Sequence, residues 1–100
     1  MIKNILTLED FKKCVKSEDL VIIEFTASWF PACKGLVPKV QELANTLSDT
    51  TTLVRVDVDA NTEAKEAAGV VTYPTYQFYK GGEKVYQIEG PDLEALKSKI

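Results

Sequence analysis

Trp29-Phe30-Pro31-Ala32-Cys33-Lys34 is the stretch from which the fold is read. Before it lies the strongly apolar run Leu20-Val21-Ile22-Ile23-Glu24-Phe25, which reads as a buried strand. After it, Leu36, Val40, Leu43, Ala44 and Leu47 recur at helical spacing and mark one face of a helix. A tight loop therefore joins a central strand to a helix, with one cysteine in the helix's first turn. The unpaired N–H groups and positive dipole end of such a turn favour thiolate over thiol, so the position suits sulfur chemistry.

Side chains alternate along the strand, which puts Glu24 on the side of Leu20 and Ile22. A central strand is covered on both faces, and a carboxylate buried there is costly unless it is paired. Glu24 is therefore a candidate for proton handling, because such groups cluster at functional sites. Cys33 shares a helix face with Val37, Val40 and Ala44, so its sulfur is expected to point inward. Phe30 precedes the helix and is expected to project outward beside Trp29. Pro38 falls inside the helix, where its missing N–H and its ring should bend the axis.

Working outward, Ile2 to Ile5 is a short strand candidate. Thr7-Leu8-Glu9-Asp10 has the form of a capping box, with Leu6 and Phe11 placed as a hydrophobic staple. Leu8, Phe11 and Val15 line the inner face of the helix that follows, to about Lys16, with Cys14 beside them as a half-buried small apolar residue. Leu53, Val54, Val56 and Val58 mark a third strand. It runs into Asp57-Val58-Asp59, whose alternating acids read as caps of the next loop rather than a metal pair. Asn61 caps a short helix carrying Ala64, Ala67 and Ala68 and closed by Gly69. Tyr73-Pro74-Thr75 leads into the strand Tyr76–Tyr79, with a cis bond favoured somewhat by the aromatic before proline. Gly81-Gly82 signals a hairpin into Val85, Tyr86 and Ile88. Gly90-Pro91-Asp92 then opens a last helix with Leu93, Leu96 and Ile100 inside. The order β-α-β-α-β-α-β-β-α implies a mixed sheet with helices on both faces, an α/β architecture.

One hundred residues make a single domain over 1–100, long enough to bury a core without disulfide or metal. A net charge of −3 with scattered lysines argues against nucleic acid as a partner. No apolar run approaches the ~20 residues that span a bilayer, so no membrane partner and no signal peptide are expected. Two cysteines do not form a disulfide framework, and the absence of histidine removes the usual zinc ligand and triad base. A reducing, cytoplasmic setting fits, with no cofactor and no metal site.

Order and motifs together resemble the thioredoxin family, in particular its short eukaryotic cytosolic kind, along the whole chain. The resemblance rests on Val21–Trp29, Pro38, Val56-Asp57-Val58-Asp59, Tyr73-Pro74-Thr75, Tyr76–Lys80 with Gly81-Gly82, and Gly90. It implies a thioredoxin fold: a central mixed five-stranded sheet in the order 1-3-2-4-5, four helices on two faces, and a cis peptide before Pro74. It also implies that Glu24 stands where the family keeps a buried acid beneath its second cysteine.

The site departs from the family pattern. Thioredoxins read Trp-Cys-Gly-Pro-Cys-Lys at this place, so Phe30 occupies the attacking-cysteine position and Cys33 matches the resolving one. The pattern is also similar to Trp-Ala-Pro-Gln-Cys, in the thioredoxin-like domain ahead of the glutaredoxin modules of multidomain monothiol glutaredoxins; no such module is expected after this chain. Disulfide reduction in this family uses two thiols, one to attack and one to release the product. Phenylalanine forms no such bond, and a dithiol reductase cycle is not expected. Two readings follow. One is a protein- or peptide-binding module in thiol-redox homeostasis, its groove beside Pro74 lined by Trp29, Phe30, Pro31, Tyr73, Pro74 and Gly90. The other is a one-cysteine thiol–disulfide oxidoreductase acting through Cys33, with Glu24 moving its proton and glutathione or another external thiol resolving the adduct.

Overall fold

Both faces of the strand over Leu20–Thr26 are covered, and its residues divide between two cores in strict alternation. Val21, Ile23 and Phe25 face one cluster, and Leu20 and Ile22 the other. That explains a nearly continuous apolar run where a half-exposed strand would alternate with polar residues. The computed structural model describes residues 2–100. Its elements are β1 (Lys3–Asn4), α1 (Leu8–Val15), β2 (Leu20–Thr26), α2 (Pro31–Lys34), α3 (Val37–Ala44), β3 (Thr51–Asp57), α4 (Thr62–Ala68), β4 (Thr75–Lys80), β5 (Glu83–Glu89) and α5 (Leu93–Ser98).

The five strands lie in the order β1-β3-β2-β4-β5. β1, β3 and β2 run parallel, while β4 is antiparallel to β2 and β5 to β4. The mixed sheet expected from the sequence is thus present, with its switch from parallel to antiparallel at β4. Phe11 of α1 and Ala64 of α4 join the Phe25 core, whereas Val40 of α3 and Leu96 of α5 join the Ile22 core. The β4–β5 turn needs positive φ at both central residues, which Gly81 (61°) and Gly82 (87°) supply.

Several local expectations hold. Thr7 caps α1 by accepting from Asp10 N–H at 3.0 Å, one half of the expected box, without a return bond from Thr7 N–H to the Asp10 carboxylate among the described residues, and Gly69 closes α4 with φ 71°. Others need correction. β1 is shorter than Ile2–Ile5, and Leu6 is 63% exposed, so it forms no staple with buried Phe11. Val37 and Ile100 are exposed rather than inside. The helix after the site is broken in two, not merely bent. Proline at 38 has no N–H for the Lys34 carbonyl, and its ring would collide with that group. α2 accordingly stops at Lys34, and α3 restarts with Pro38 in its first turn, where proline is tolerated. Cys33 and Val37 therefore belong to different helices, which is why one is buried and the other is not.

Asn61 ties this scaffold together. Its Oδ1 accepts from Ala64 N–H at 3.2 Å while its Nδ2 donates to the Ile5 carbonyl at 3.1 Å, fixing the start of α4 to the end of β1. Asn61→Ala removes a cap and strands a buried carbonyl, so it should cost about 2–3 kcal/mol. Thr7→Ala, an exposed cap, should cost about 1 kcal/mol or less. Urea denaturation of the two variants checks the ranking, and equal losses would contradict it.

Candidate functional site

The site forms where β2 ends and the chain turns through Ala27-Ser28-Trp29 into α2. Phe30 N–H donates to the Ala27 carbonyl at 3.1 Å, and Cys33 N–H to the Phe30 carbonyl at 3.0 Å. Pro31 opens α2 as its first residue, where the missing N–H costs nothing. With only four residues, α2 lends Cys33 little of the dipole that a longer helix would supply. Cys33 is 2% exposed, and both it and Cys14 are free thiols. Cys14 lies half-buried against the α1 core; burial pushes its thiol up, with Lys3 pulling weakly the other way.

Trp29, Phe30 and Tyr73 pack against one another edge to face. Ring centroids are 5.6 Å apart for Trp29–Phe30, 5.8 Å for Phe30–Tyr73 and 6.1 Å for Trp29–Tyr73. Edge-to-face contact sets the positive rim of one ring on the negative face of the next. Phe30 is thereby half-buried, leaning on the core, and does not stand out freely as its position before the helix suggested. Trp29 stays 56% exposed, held by its indole N–H donating to Asp59 Oδ2 at 2.7 Å. Asp57 Oδ1 accepts from Asp59 N–H at 2.9 Å, so the first acid caps the loop and the second orients the tryptophan. Lys65 Nζ lies over the Tyr73 ring, 5.9 Å from its centre.

The Tyr73–Pro74 peptide is cis. Gly90 N–H donates to the Pro74 carbonyl at 2.8 Å, with φ 95° at Gly90, so these two loops are joined. Pro74 is fully buried and Tyr73 nearly so, while Pro31 is exposed. Of the residues assigned to the groove, Trp29, Phe30 and Tyr73 are thus brought together as a cluster, and Pro74 with Gly90 as a second pair.

Glu24 is 2% exposed and paired. Arg55 Nε donates to its Oε1 at 2.5 Å, and the Tyr76 hydroxyl donates to its Oε2 at 3.0 Å. The sheet register places Arg55 and Tyr76 on either side of Glu24, on β3 and β4. Arg55 and Tyr76 were not singled out from the sequence. The available signal was an arginine interrupting Leu53-Val54-Arg55-Val56 as Glu24 interrupts its own strand: two opposite charges in two buried runs. Burial raises the Tyr76 phenol well above the usual tyrosine range, and the Glu24 charge and hydrogen bond add to that, against a smaller pull from Arg55.

A cavity of about 290 Å³ is lined by Asn4, Thr26, Ser28, Cys33, Lys34, Val37, Arg55 and Asp57. A larger groove of about 870 Å³ between α3 and α5 shares no residue with the site.

Residues 3–100 match the family model described as Thioredoxin. The chain is 37% identical to "Thioredoxin-1" of Schizosaccharomyces pombe over 100 residues, covering 100% of this chain and 96% of that one. It is 33% identical to "Thioredoxin" of Gallus gallus over 102 residues, with 100% and 96% covered. The X-ray structure of Fasciola hepatica thioredoxin superposes with a TM-score of 0.92 at 30% identity, covering 99% of this chain and 96% of that one. The chain belongs to the thioredoxin family, and its fold is the thioredoxin fold.

Tyr76 retains its proton in the folded protein where the unfolded chain gives it up. Its stabilising contribution is therefore complete below about pH 10 and is lost as pH rises, by up to about 1.4 kcal/mol per pH unit. Tyr79, also raised by burial, acts in the same sense. Tyr76→Phe should lower stability at neutral pH by about 1.5–3 kcal/mol, the worth of a hydrogen bond to a charged group. It should also make the loss above about pH 10 shallower. Denaturant melts across that range check both, and an unchanged alkaline slope would contradict the assignment.

Proposed function

We propose that this protein is a protein- or peptide-binding member of its family, working in cytoplasmic thiol-redox homeostasis through a degenerate Trp-Phe-Pro-Ala-Cys site. One observation carries the reading. Phe30, at the position where thioredoxins hold the attacking cysteine, is packed into an aromatic cluster with Trp29 and Tyr73, and Cys33 is buried. A side chain without sulfur cannot open a substrate disulfide, so a dithiol cycle has no first step. What the position offers instead is apolar aromatic surface of the kind that anchors partners.

The surroundings support an extended segment as the occupant. Tyr73, before the cis proline, engages neither its N–H nor its C=O in a backbone hydrogen bond among the described residues. Free backbone beside an aromatic surface is what an added strand requires. Val71, two positions before Tyr73, is apolar and 85% exposed. Glu24, tied to Arg55 and Tyr76, serves this reading as a structural group. The second reading, one-cysteine exchange through Cys33 with Glu24 as proton carrier and glutathione or another external thiol, has one observation in its favour: Cys33 lines a cavity.

Turnover of a protein disulfide with excess small dithiol tests the first reading. The natural protein should not exceed the dithiol background, whereas Phe30→Cys should. Turnover by the natural protein that disappears in Cys33→Ser would overturn it. For a captured partner peptide, Trp29→Ala or Phe30→Ala should weaken binding about 30-fold, as loss of an aromatic anchor does, and Cys33→Ser should leave it unchanged.

A further inference from the structure

Trp29 is the chain's single tryptophan and the ring of its cluster that stays more than half exposed. Its indole N–H is held by Asp59 Oδ2 at 2.7 Å, so the ring is set in place before any partner arrives. Asp59 spends one oxygen on that bond. Its Oδ1 accepts no hydrogen bond, and its carboxylate forms no ion pair, among the described residues. An indole fixed beside a free carboxylate oxygen attracts a cation twice, through the negative face of the ring and through the charge of the acid.

The cluster already holds one cation of its own chain, Lys65, over the Tyr73 ring. Trp29 is the stronger cation binder by ring type, yet no cation of the chain lies over it among the described residues. Lys34 and Asp57 line one cavity together and offset each other there, and Asp59 is not part of that lining. The backbone adds a direction. Tyr73 leaves its N–H and C=O free for an extended segment, and its ring centre is 6.1 Å from that of Trp29. Alternate side chains of an extended segment lie ~7 Å apart on one face, close to the spacing of these two rings.

We propose that the partner segment is basic as well as apolar: an arginine lies over Trp29 and faces Asp59, while an apolar side chain of the same stretch packs on Phe30 and Tyr73. Arginine suits the place better than lysine, because its planar guanidinium stacks on an aromatic face while its N–H groups meet a carboxylate. The net charge of −3 draws such a segment towards the protein. The partner needs no cysteine, since neither the rings nor the acid form a bond to sulfur. The proposal rests on the binding reading and adds to it the chemistry of the partner.

Calorimetric titration of the full chain at about 0.15 M salt, where long-range attraction is screened, tests it. The probe is the peptide acetyl-Ser-Thr-Val-Xaa-Val-Leu-Thr-Ser-amide, with arginine, glutamine or glutamate as Xaa. The arginine peptide should bind about fivefold tighter than the glutamine peptide and about tenfold tighter than the glutamate one, and should shift the Trp29 emission. Asp59→Asn keeps an oxygen for the indole N–H but removes the charge, and should cut the arginine-over-glutamine preference about threefold. Glu83→Gln removes the same charge at the far end of β5, opposite Lys80 in the hairpin, and should leave the preference intact. Equal binding of the arginine and glutamine peptides, or a preference for glutamate, would overturn the basic partner and leave the binding reading standing. A preference unchanged in Asp59→Asn, or reduced as much by Glu83→Gln, would overturn it too. Failure of all three peptides to bind would overturn the basic partner and the binding reading together.

Discussion

A carboxylate buried on the central strand has to be paired, and the pairing of Glu24 reaches across three strands. Glu24 lies on β2, its ion-pair partner Arg55 on β3, and its hydroxyl partner Tyr76 on β4, in one row of the sheet. Removing one member of a buried pair costs about 3–5 kcal/mol, because the remaining charge is left uncompensated. The row therefore constrains register at the junction of parallel and antiparallel halves: a slip of one residue would turn Glu24 to the opposite core and away from both partners. It also bears on chemistry. A carboxylate already holding a guanidinium and a phenol has fewer free sites to exchange a proton with a neighbouring thiol.

The same economy governs the loop above. A fully exposed phenylalanine at position 30 would leave apolar surface in water, and the rings that pack on it are Trp29 and Tyr73. Their edge-to-face packing is worth about 0.5–1.5 kcal/mol per pair beyond the area buried. Phe30 is held half inside while Trp29 remains the outward ring, oriented by Asp59. The acids of Val56-Asp57-Val58-Asp59 thus shape the aromatic surface through the backbone of their own loop and one indole bond.

Much of this was legible in the sequence because the signals were local. The Leu20–Phe25 run, the Asn61 cap with Gly69, and Gly81-Gly82 each specify one backbone outcome, and the parallel and hairpin connections follow from their order. What escaped depends on distant partners. Helical spacing placed Cys33 and Val37 on one face because it assumed an unbroken helix. Pro38 ended α2 one turn earlier than a bend would require. Ile100 and Leu6 fit the apolar period but lie where no second element covers them. Phe30's direction depends on Tyr73, more than forty positions away in the chain and invisible to any window.

Arg55 shows most clearly how sequence and structure divide the work. Read along its own strand it is an interruption to be skipped between Val54 and Val56. Read across the register it is the counter-ion of Glu24, and on its other side it borders the cavity that Cys33 lines. One guanidinium therefore joins the buried row to the cavity lining that includes Cys33. The break before Pro38 leaves Cys33 on a four-residue helix that follows β2. The cavity that Cys33 lines has Arg55 and Lys34 in its wall, and none of the three aromatic rings belongs to that lining.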